Sequence, residues 1–323
     1  MTAVFHQNPI DSPDPKAMTV NVTGAFDIED HSILRISGED RHEFLQGQLT
    51  QDLDSLNPRQ SVLAGWTTAK GRLLFVSQLM NWNDAVYLPV AADIAGQVAK
   101  RLSMFILRAD VQIDLPPELN LVGLITSATS PVTVNGLEVS LEPGACRSSA
   151  TLCLARVIGD PTRLWAIGTS EATVAIQTTT NNLLSARDWM LHNIHAGIPE
   201  IRKNTSETFI PQMLNLDLLG GVSFTKGCYV GQEIVARTQN LGRIKRRMYR
   251  FRSESDYQFA SGGLLHGPNK ATGKIVSCSR NGPVTELLAV IAIDSAGRPW
   301  FADEGQSLPV EQQPLPYSIA GTD

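Results

Sequence analysis

The residue best suited to covalent chemistry in this chain is a cysteine in a short, glycine-flanked segment. Cys228 lies within Lys226 to Glu233, which reads Lys-Gly-Cys-Tyr-Val-Gly-Gln-Glu and precedes a short helical pattern. A nearby lysine, Lys226, and the unpaired N–H groups of a helix beginning near Gly231 would each favour the thiolate form of a thiol. We therefore predict that Cys228 is a functional thiol activated by Lys226. The alternative is a small buried cysteine in a tight turn, the commoner role of a lone cysteine.

The other potential metal or redox ligands do not form a recognisable set. The four cysteines are Cys146, Cys153, Cys228 and Cys278, and they include no CxxC pair. This spacing argues against a disulfide framework, a zinc site and a set of ligands for an iron-sulfur cluster. His192 and His195 are one helical turn apart, but no pattern of further ligands completes a site. We expect no permanently bound metal or cluster.

Composition describes an ordinary globular protein. The chain has 323 residues, is 42% hydrophobic and 18% charged, and carries a formal charge of −5. That charge gives no general attraction to nucleic acid or to an anionic membrane, so such contacts would need a local basic patch. No basic segment leads into an apolar one at the start, and no apolar run could cross a bilayer, so we expect a cytoplasmic protein without a membrane partner.

The elements that must position these residues indicate an α+β protein. Two strands, from Ser61 to Trp66 and from Arg72 to Met80, form a hairpin with a basic tip at Lys70. Capping patterns predict three helix starts, at Ser37 with Asp40, at Asp93, and at Ser185 with Asp188. After Gly242 the chain is rich in strand patterns and polar turns, which predicts a small C-terminal β domain. No GxGxxG follows a first strand to support a dinucleotide fold.

The motif at Cys228 resembles the signature of the YgfZ family, which are folate-binding proteins of iron-sulfur cluster maintenance and tRNA modification. That family is related to the aminomethyltransferase, or T-protein, of the glycine cleavage system. Further segments resemble the family in order and spacing: Gln46 to Thr50, Ala69 to Arg72, Ala196 to Pro199, Phe209 to Gln212 and Pro314 to Ser318.

The resemblance implies a T-protein-like architecture, with two interleaved ferredoxin-like lobes and a C-terminal β-barrel around a central cavity. The prolines at positions 9, 13 and 15 among polar residues predict a mobile tail over residues 1–20. The strand pattern and the resemblance together predict a folate-binding core over 21–241 and a β domain over 242–323. The inner lobe of the core would span about 50–118.

The resemblance also implies tetrahydrofolate or another folate as the cofactor. Trp189 occupies the place of an aromatic pterin-contacting residue, and an indole can stack on a flat heterocycle. His195 stands where relatives have a glutamate, and His31 where some place a second tryptophan. The full set of predicted folate-binding residues is Trp189, His31, His195, Lys70, Arg72, Tyr229 and Gln232. A structural role in core packing for Trp189, and a solvated basic turn for Lys70 and Arg72, are the alternatives.

Aminomethyl transfer itself is not expected. T-proteins use an aspartate in the lobe that contains the hairpin, and this chain has no Asp or Glu between Asp54 and Asp84. We therefore favour an accessory protein that supports iron-sulfur client enzymes or assembly proteins. A folate-dependent one-carbon transferase is the first alternative.

A module that binds RNA or protein is the second alternative, and it rests on a basic strand. Arg243, Lys245, Arg246 and Arg247 are the predicted RNA contacts, with Arg250 and Arg252 further along the strand. An edge strand protected by charge against aggregation is the structural explanation of the same residues.

Overall fold

The computed structural model describes residues 22–126, 130–180, 182–240 and 244–319. The predicted N-terminal tail over residues 1–20 and the basic residue Arg243 lie outside these ranges. Within them the chain forms two open sheets, a short two-stranded ribbon and one closed β-barrel. No helix of the described segments is long and apolar enough to cross a membrane.

The helices and strands are as follows. The α-helices in the described ranges are α1 (Arg41–Gln46), α2 (Ala92–Ser103), α3 (Ser170–Thr179), α4 (Ala186–Ala196) and α5 (Gln232–Asn240). The strands of the first half are β1 (Val22–Asp27), β2 (His31–Ser37), β3 (Val62–Thr67), β4 (Leu73–Trp82), β5 (Ala85–Ala91), β6 (Gln112–Asp114), β7 (Leu119–Thr126), β8 (Val132–Val134) and β9 (Leu137–Val139). Those of the second half are β10 (Cys146–Ser148), β11 (Leu152–Arg156), β12 (Arg163–Thr169), β13 (Leu183–Leu184), β14 (Arg246–Ser253), β15 (Leu264–His266), β16 (Thr272–Asn281), β17 (Val284–Ala292), β18 (Trp300–Phe301) and β19 (Pro309–Gln313). Short 3₁₀ turns span Pro211–Leu214, Pro268–Lys270 and Ile293–Ser295.

The two open sheets share the N-terminal half of the chain in an interleaved way. One sheet has the order β10-β11-β12-β7-β1-β13, and the other has the order β3-β4-β5-β2-β6. The chain therefore starts in the first sheet with β1, builds the second from β2 to β6, and returns with β7. The second sheet includes β2, which lies before the predicted inner-lobe range of 50–118, because β2 pairs with both β5 and β6.

The C-terminal domain is the predicted β structure, closed as a barrel in the order β14-β17-β16-β15-β18-β19. β17 shows why its sequence is apolar without alternation. Leu287 and Ala289 pack in the barrel core, whereas Leu288 and Val290 belong to the large cluster shared with the rest of the protein. Since both faces of this strand are buried, the barrel is joined to the body by packing and not only by the chain.

Helix caps show which local predictions hold. Ser185 and Asp188 form the predicted capping box of α4, and Gly197 ends that helix with the left-handed backbone that favours glycine. The prediction of a capping box at Ser37 and Asp40 is wrong, because Ser37 is the last residue of β2 and α1 has no side-chain cap. Asp93 is also not a cap, because it lies in the first turn of α2 and accepts a hydrogen bond from the backbone of Lys203.

Candidate functional site

The motif cysteine is presented at the surface on a fixed loop. Cys228 is exposed, whereas Cys146 and Cys153 are buried and Cys278 is half-buried. The loop is joined to the tip of the β3–β4 hairpin, where the Thr67 hydroxyl donates to the Val230 carbonyl oxygen at 2.5 Å. The structure thus brings the predicted basic hairpin and the cysteine motif together.

Gly231 explains why the motif has a glycine at the end of this loop. Its φ is +84°, and a Cβ there would lie 2.4 Å from the carbonyl oxygen of Thr68. A side chain would therefore push the loop off the hairpin. Gly227, by contrast, has open space around the position of a Cβ.

Lys226 is the anchor beneath this loop. Its side chain is buried, and Nζ donates to the carbonyl oxygens of Gln46, Leu49 and Gln51 at 2.7, 3.0 and 2.9 Å. Burial lowers the pKa of Lys226 to about 8, with Asp52 and Asp54 opposing that change. Among the described residues, the hydrogen bonds of the ammonium go to residues 46–51 and none goes to Cys228. Activation of the thiol by Lys226 stays a prediction, and the observed role is to hold the loop.

Tyr229 and Gln232 complete the support. The Tyr229 ring is buried, its centroid lies 5.4 Å from Lys226 Nζ, and burial raises the pKa of its phenol to about 12. Gln232, at the start of α5, donates from Nε2 to the carbonyl oxygens of Lys226 and Gly227 at 3.4 Å. The contacts observed for both side chains are with the loop, and their predicted role in folate binding stays a prediction.

The two basic residues of the hairpin differ in exposure and in their contacts. Lys70 is exposed at the tip. Arg72 lies against the segment that follows α4, where its Nη1 donates to the Thr208 carbonyl oxygen at 2.6 Å. Arg72 also lines a cleft toward the barrel, whereas Lys70 does not.

Trp189 lies in the core. It is 1% exposed, with the Arg163 guanidinium 4.3 Å from its ring centroid and the Trp165 ring centroid 4.4 Å away. Phe26 packs edge-on against the same indole at 5.2 Å. Stacking of a pterin on Trp189 would require these neighbours to move, and the prediction of that contact stays untested.

His31 is part of a buried ionic cluster. Its Nδ1 lies 2.9 Å from Asp30 Oδ1 and its Nε2 lies 3.2 Å from Glu200 Oε2. Arg202 closes the cluster by pairing with both carboxylates. Although burial opposes the imidazolium, the negative charge of Glu200, together with Asp30, raises the pKa of His31 to about 9. These two carboxylates therefore favour the imidazolium form of His31 at neutral pH.

Residues of this ionic cluster line two cavities that bear on folate binding. His31, Glu200 and Trp165 line an interior cavity of about 50 Å³. Asp30 and Arg202 line a pocket of about 520 Å³ between α4 and the barrel. Only the second has the size of a typical small-molecule site, roughly 300–1,000 Å³.

His195 and His192 do not meet a common ligand. His195 faces the barrel, with Nε2 3.6 Å from Glu286 Oε1, and lies apart from His31 and Trp189. His192 is half-buried with its ring centroid 5.5 Å from that of Phe26, and burial lowers its pKa. The described residues contain no group of three or more His, Cys, Asp or Glu side chains placed to hold a metal ion.

The basic strand is not an edge strand, because β14 pairs with β17 and with β19. Arg247 is buried and makes a two-point ion pair with Asp217, at 2.6 and 2.9 Å. It is therefore unavailable to an RNA phosphate, which removes one of the predicted contacts. Lys245 and Arg246 remain exposed.

Sequence reasoning missed two residues that matter here. Trp165 lines the interior cavity that Trp189 does not reach, and Glu200 pairs with His31. Trp165 is hidden in an ordinary apolar strand pattern. Glu200 directly follows the Ala-Gly-Ile-Pro motif that ends at Pro199, and this position was its one local signal.

Comparison with known proteins identifies relatives of this chain. No family model matches it. It is 31% identical over 317 residues to the tRNA-modifying protein YgfZ of Colwellia psychrerythraea (strain 34H / ATCC BAA-681), covering 94% of this chain and 96% of that protein. The protein of the same name from Yersinia pestis (strain Pestoides F) is 27% identical, with 98% of each chain covered.

The fold is that of the T-protein. The aminomethyltransferase T of the glycine cleavage system from Bartonella henselae superposes with a TM-score of 0.69 at 14% identity, covering 92% of this chain and 86% of that one. The predicted T-protein-like α+β architecture is thereby confirmed. Together with the full-length identity to the Colwellia protein, this establishes that the chain belongs to the YgfZ family of tRNA-modifying proteins.

Proposed function

We propose that this protein is a folate-binding accessory protein that supports the assembly or repair of iron-sulfur enzymes, including enzymes that modify tRNA, with Cys228 as its working thiol. One observation carries the proposal: Cys228 is the exposed cysteine of the four, and the rest of its motif holds the loop that presents it. A buried structural cysteine would need no such support.

The thiol suits transient chemistry. Iron-sulfur clusters are usually held by several thiolates. In the described structure Cys228 has no second cysteine in its motif and no cluster of metal ligands around it. A single accessible thiolate can ligate a cluster briefly or react with an activated one-carbon species, and then release it. The hairpin beneath it carries no carboxylate, so folate-dependent aminomethyl transfer is not proposed.

The pocket between α4 and the barrel is the better fit for a folate. The interior cavity of about 50 Å³ is too small for a pterin, whereas the pocket of about 520 Å³ is large enough for a folate. Tyr257 and Phe259 offer aromatic surfaces, and they contact each other edge to face at 5.0 Å. Arg187 and Arg280 line the same pocket. Arg280 is paired with Asp256, so Arg187 is the residue that suits a carboxylate of the glutamate tail.

The test is a calorimetric titration of the whole chain with tetrahydrofolate. In the double variant Arg187→Gln/Phe259→Ala we expect binding at least about tenfold weaker, because one ring contact and one charged contact are lost. Arg298→Gln removes an exposed arginine outside this pocket and should bind like the wild type. Equal affinity of all three chains would place folate elsewhere. Absence of binding by the wild type would refute the folate part of the proposal.

A further inference from the structure

A second cleft lies where the outer face of the barrel meets the body, and its mouth is positively charged. It has a volume of about 310 Å³. Its floor is apolar, and it contains Phe209, Met213 and Val290. Arg72, Arg246 and Lys274 reach it from the hairpin, from β14 and from β16.

The three cations at this mouth have no carboxylate partner among the described residues. Arg72 donates to the Thr208 carbonyl oxygen, and Arg246 donates to that of Thr272 at 3.4 Å. A carbonyl oxygen satisfies an N–H group but does not neutralise the charge. Three like charges around one cleft repel each other unless an anion joins them.

Other arginines on β14 differ in this respect. Arg247, Arg250 and Arg252 are each paired with a carboxylate, from Asp217, Glu286 and Glu254 respectively. The basic run of the sequence is thus divided by the fold. One part is neutralised internally, and the part that faces the cleft is left for an external anion.

The positive surface continues beyond the cleft. Lys245, which precedes Arg246, and Lys70, at the tip of the hairpin that carries Arg72, are both exposed. A free small anion would use only the mouth, whereas a polyanion would also meet these flanking lysines. The charge pattern therefore favours a chain of phosphates over a single one.

We propose that this cleft binds single-stranded RNA, with one nucleoside against the apolar floor and its phosphate between Arg72, Arg246 and Lys274. The choice of RNA rests on the proposed function in tRNA modification. The hairpin that supplies Arg72 also supports the Cys228 loop, since the Thr67 hydroxyl donates to the Val230 carbonyl oxygen. Bound RNA would therefore lie on the element that carries the thiol loop.

The test measures the salt dependence of binding to a fluorescein-labelled single-stranded RNA decamer of mixed sequence, by anisotropy. In the whole-chain variant Arg246→Gln/Lys274→Gln, the slope of log K against log salt should fall by up to roughly 0.7, the value for one phosphate contact on a single strand. The control Lys100→Gln/Arg108→Gln changes the net charge equally at exposed positions of α2 and the loop after it, and should keep the wild-type slope.

Two outcomes would overturn the inference. One is an equal slope for the two double variants, which would show non-specific attraction. The other is displacement of the labelled RNA by AMP as effectively as by unlabelled RNA at equal nucleotide concentration, which would indicate a free-nucleotide site. Tetrahydrofolate titration of the same variants separates this from the proposed function, because Arg246 and Lys274 lie outside the folate pocket.

Discussion

Replacing His31 by Gln should remove a specific pH dependence of stability. The imidazolium sits between Asp30 and Glu200 with its side chain 5% exposed, and its pKa is raised from 6.5 to about 9. That difference corresponds to about 3 kcal/mol of folding free energy. Because the folded-state pKa is above the unfolded value, this stability is fully present below about pH 6.5 and is lost as pH rises toward 9.

The pH range that best tests this prediction is pH 6 to pH 8. Over it the wild type should lose about 2 kcal/mol from this group. Lys226 acts in the opposite sense, since its lowered pKa adds stability only as pH rises above about 8. Asp30, whose pKa is lowered to about 2, titrates far below the window.

The assay is urea unfolding of each chain at several pH values between 6 and 8, followed by fluorescence. The free energy of unfolding of the wild type should fall by about 2 kcal/mol more between pH 6 and pH 8 than that of His31→Gln. His266→Gln is the matched control, because His266 is half-buried in β15 and has no carboxylate partner among the described residues. The reasoning fails if the wild type and His31→Gln decline in parallel.

Three further predictions concern the thiol loop. Lys226→Met leaves three carbonyl oxygens of residues 46–51 without their charged donor, and should lower the free energy of unfolding in urea by about 2–4 kcal/mol; a change below about 0.5 kcal/mol would deny the anchoring role. Gly231→Ala should lower the free energy of unfolding by about 1–3 kcal/mol, because its Cβ would clash with Thr68 at a positive φ. Gly227→Ala should lower it by less than about 0.5 kcal/mol, and equal losses for the two variants would contradict the geometry. Under native conditions iodoacetamide should label Cys228 first and leave Cys146 and Cys153 unlabelled until the chain unfolds, which peptide mass spectrometry would check; early labelling of the buried pair would refute the burial assignment.

Local signals predicted what is locally determined. The capping box of Ser185 with Asp188 and the hairpin around Lys70 follow from side-chain chemistry over a few residues, and both are present. Ser37 with Asp40 has the same spacing, but strand pairing to Ala85 and Gln112 takes Ser37 into β2. Tertiary pairing decided between two locally acceptable structures.

The contacts of the candidate site could likewise not be predicted from local sequence. Sequence adjacency suggested that Lys226 acts on Cys228, but the fold turns the lysine inward to residues 46–51, which are about 180 positions away in the chain. The His31–Glu200 contact joins segments equally remote from each other. Such contacts depend on sheet order and lobe interleaving, which came from family resemblance and not from periodicity.

The most direct measurement of the central claim is restoration of tRNA modification by iron-sulfur enzymes in cells that lack this protein. Cys228→Ser changes one atom at the surface and should restore less than about a tenth of the modified nucleoside measured by mass spectrometry, because the hydroxyl is neither a good nucleophile nor a cluster ligand. Arg298→Gln, at an exposed position outside the proposed folate pocket, should restore it fully. Full restoration by Cys228→Ser, with both variants expressed at the wild-type level, would contradict the account.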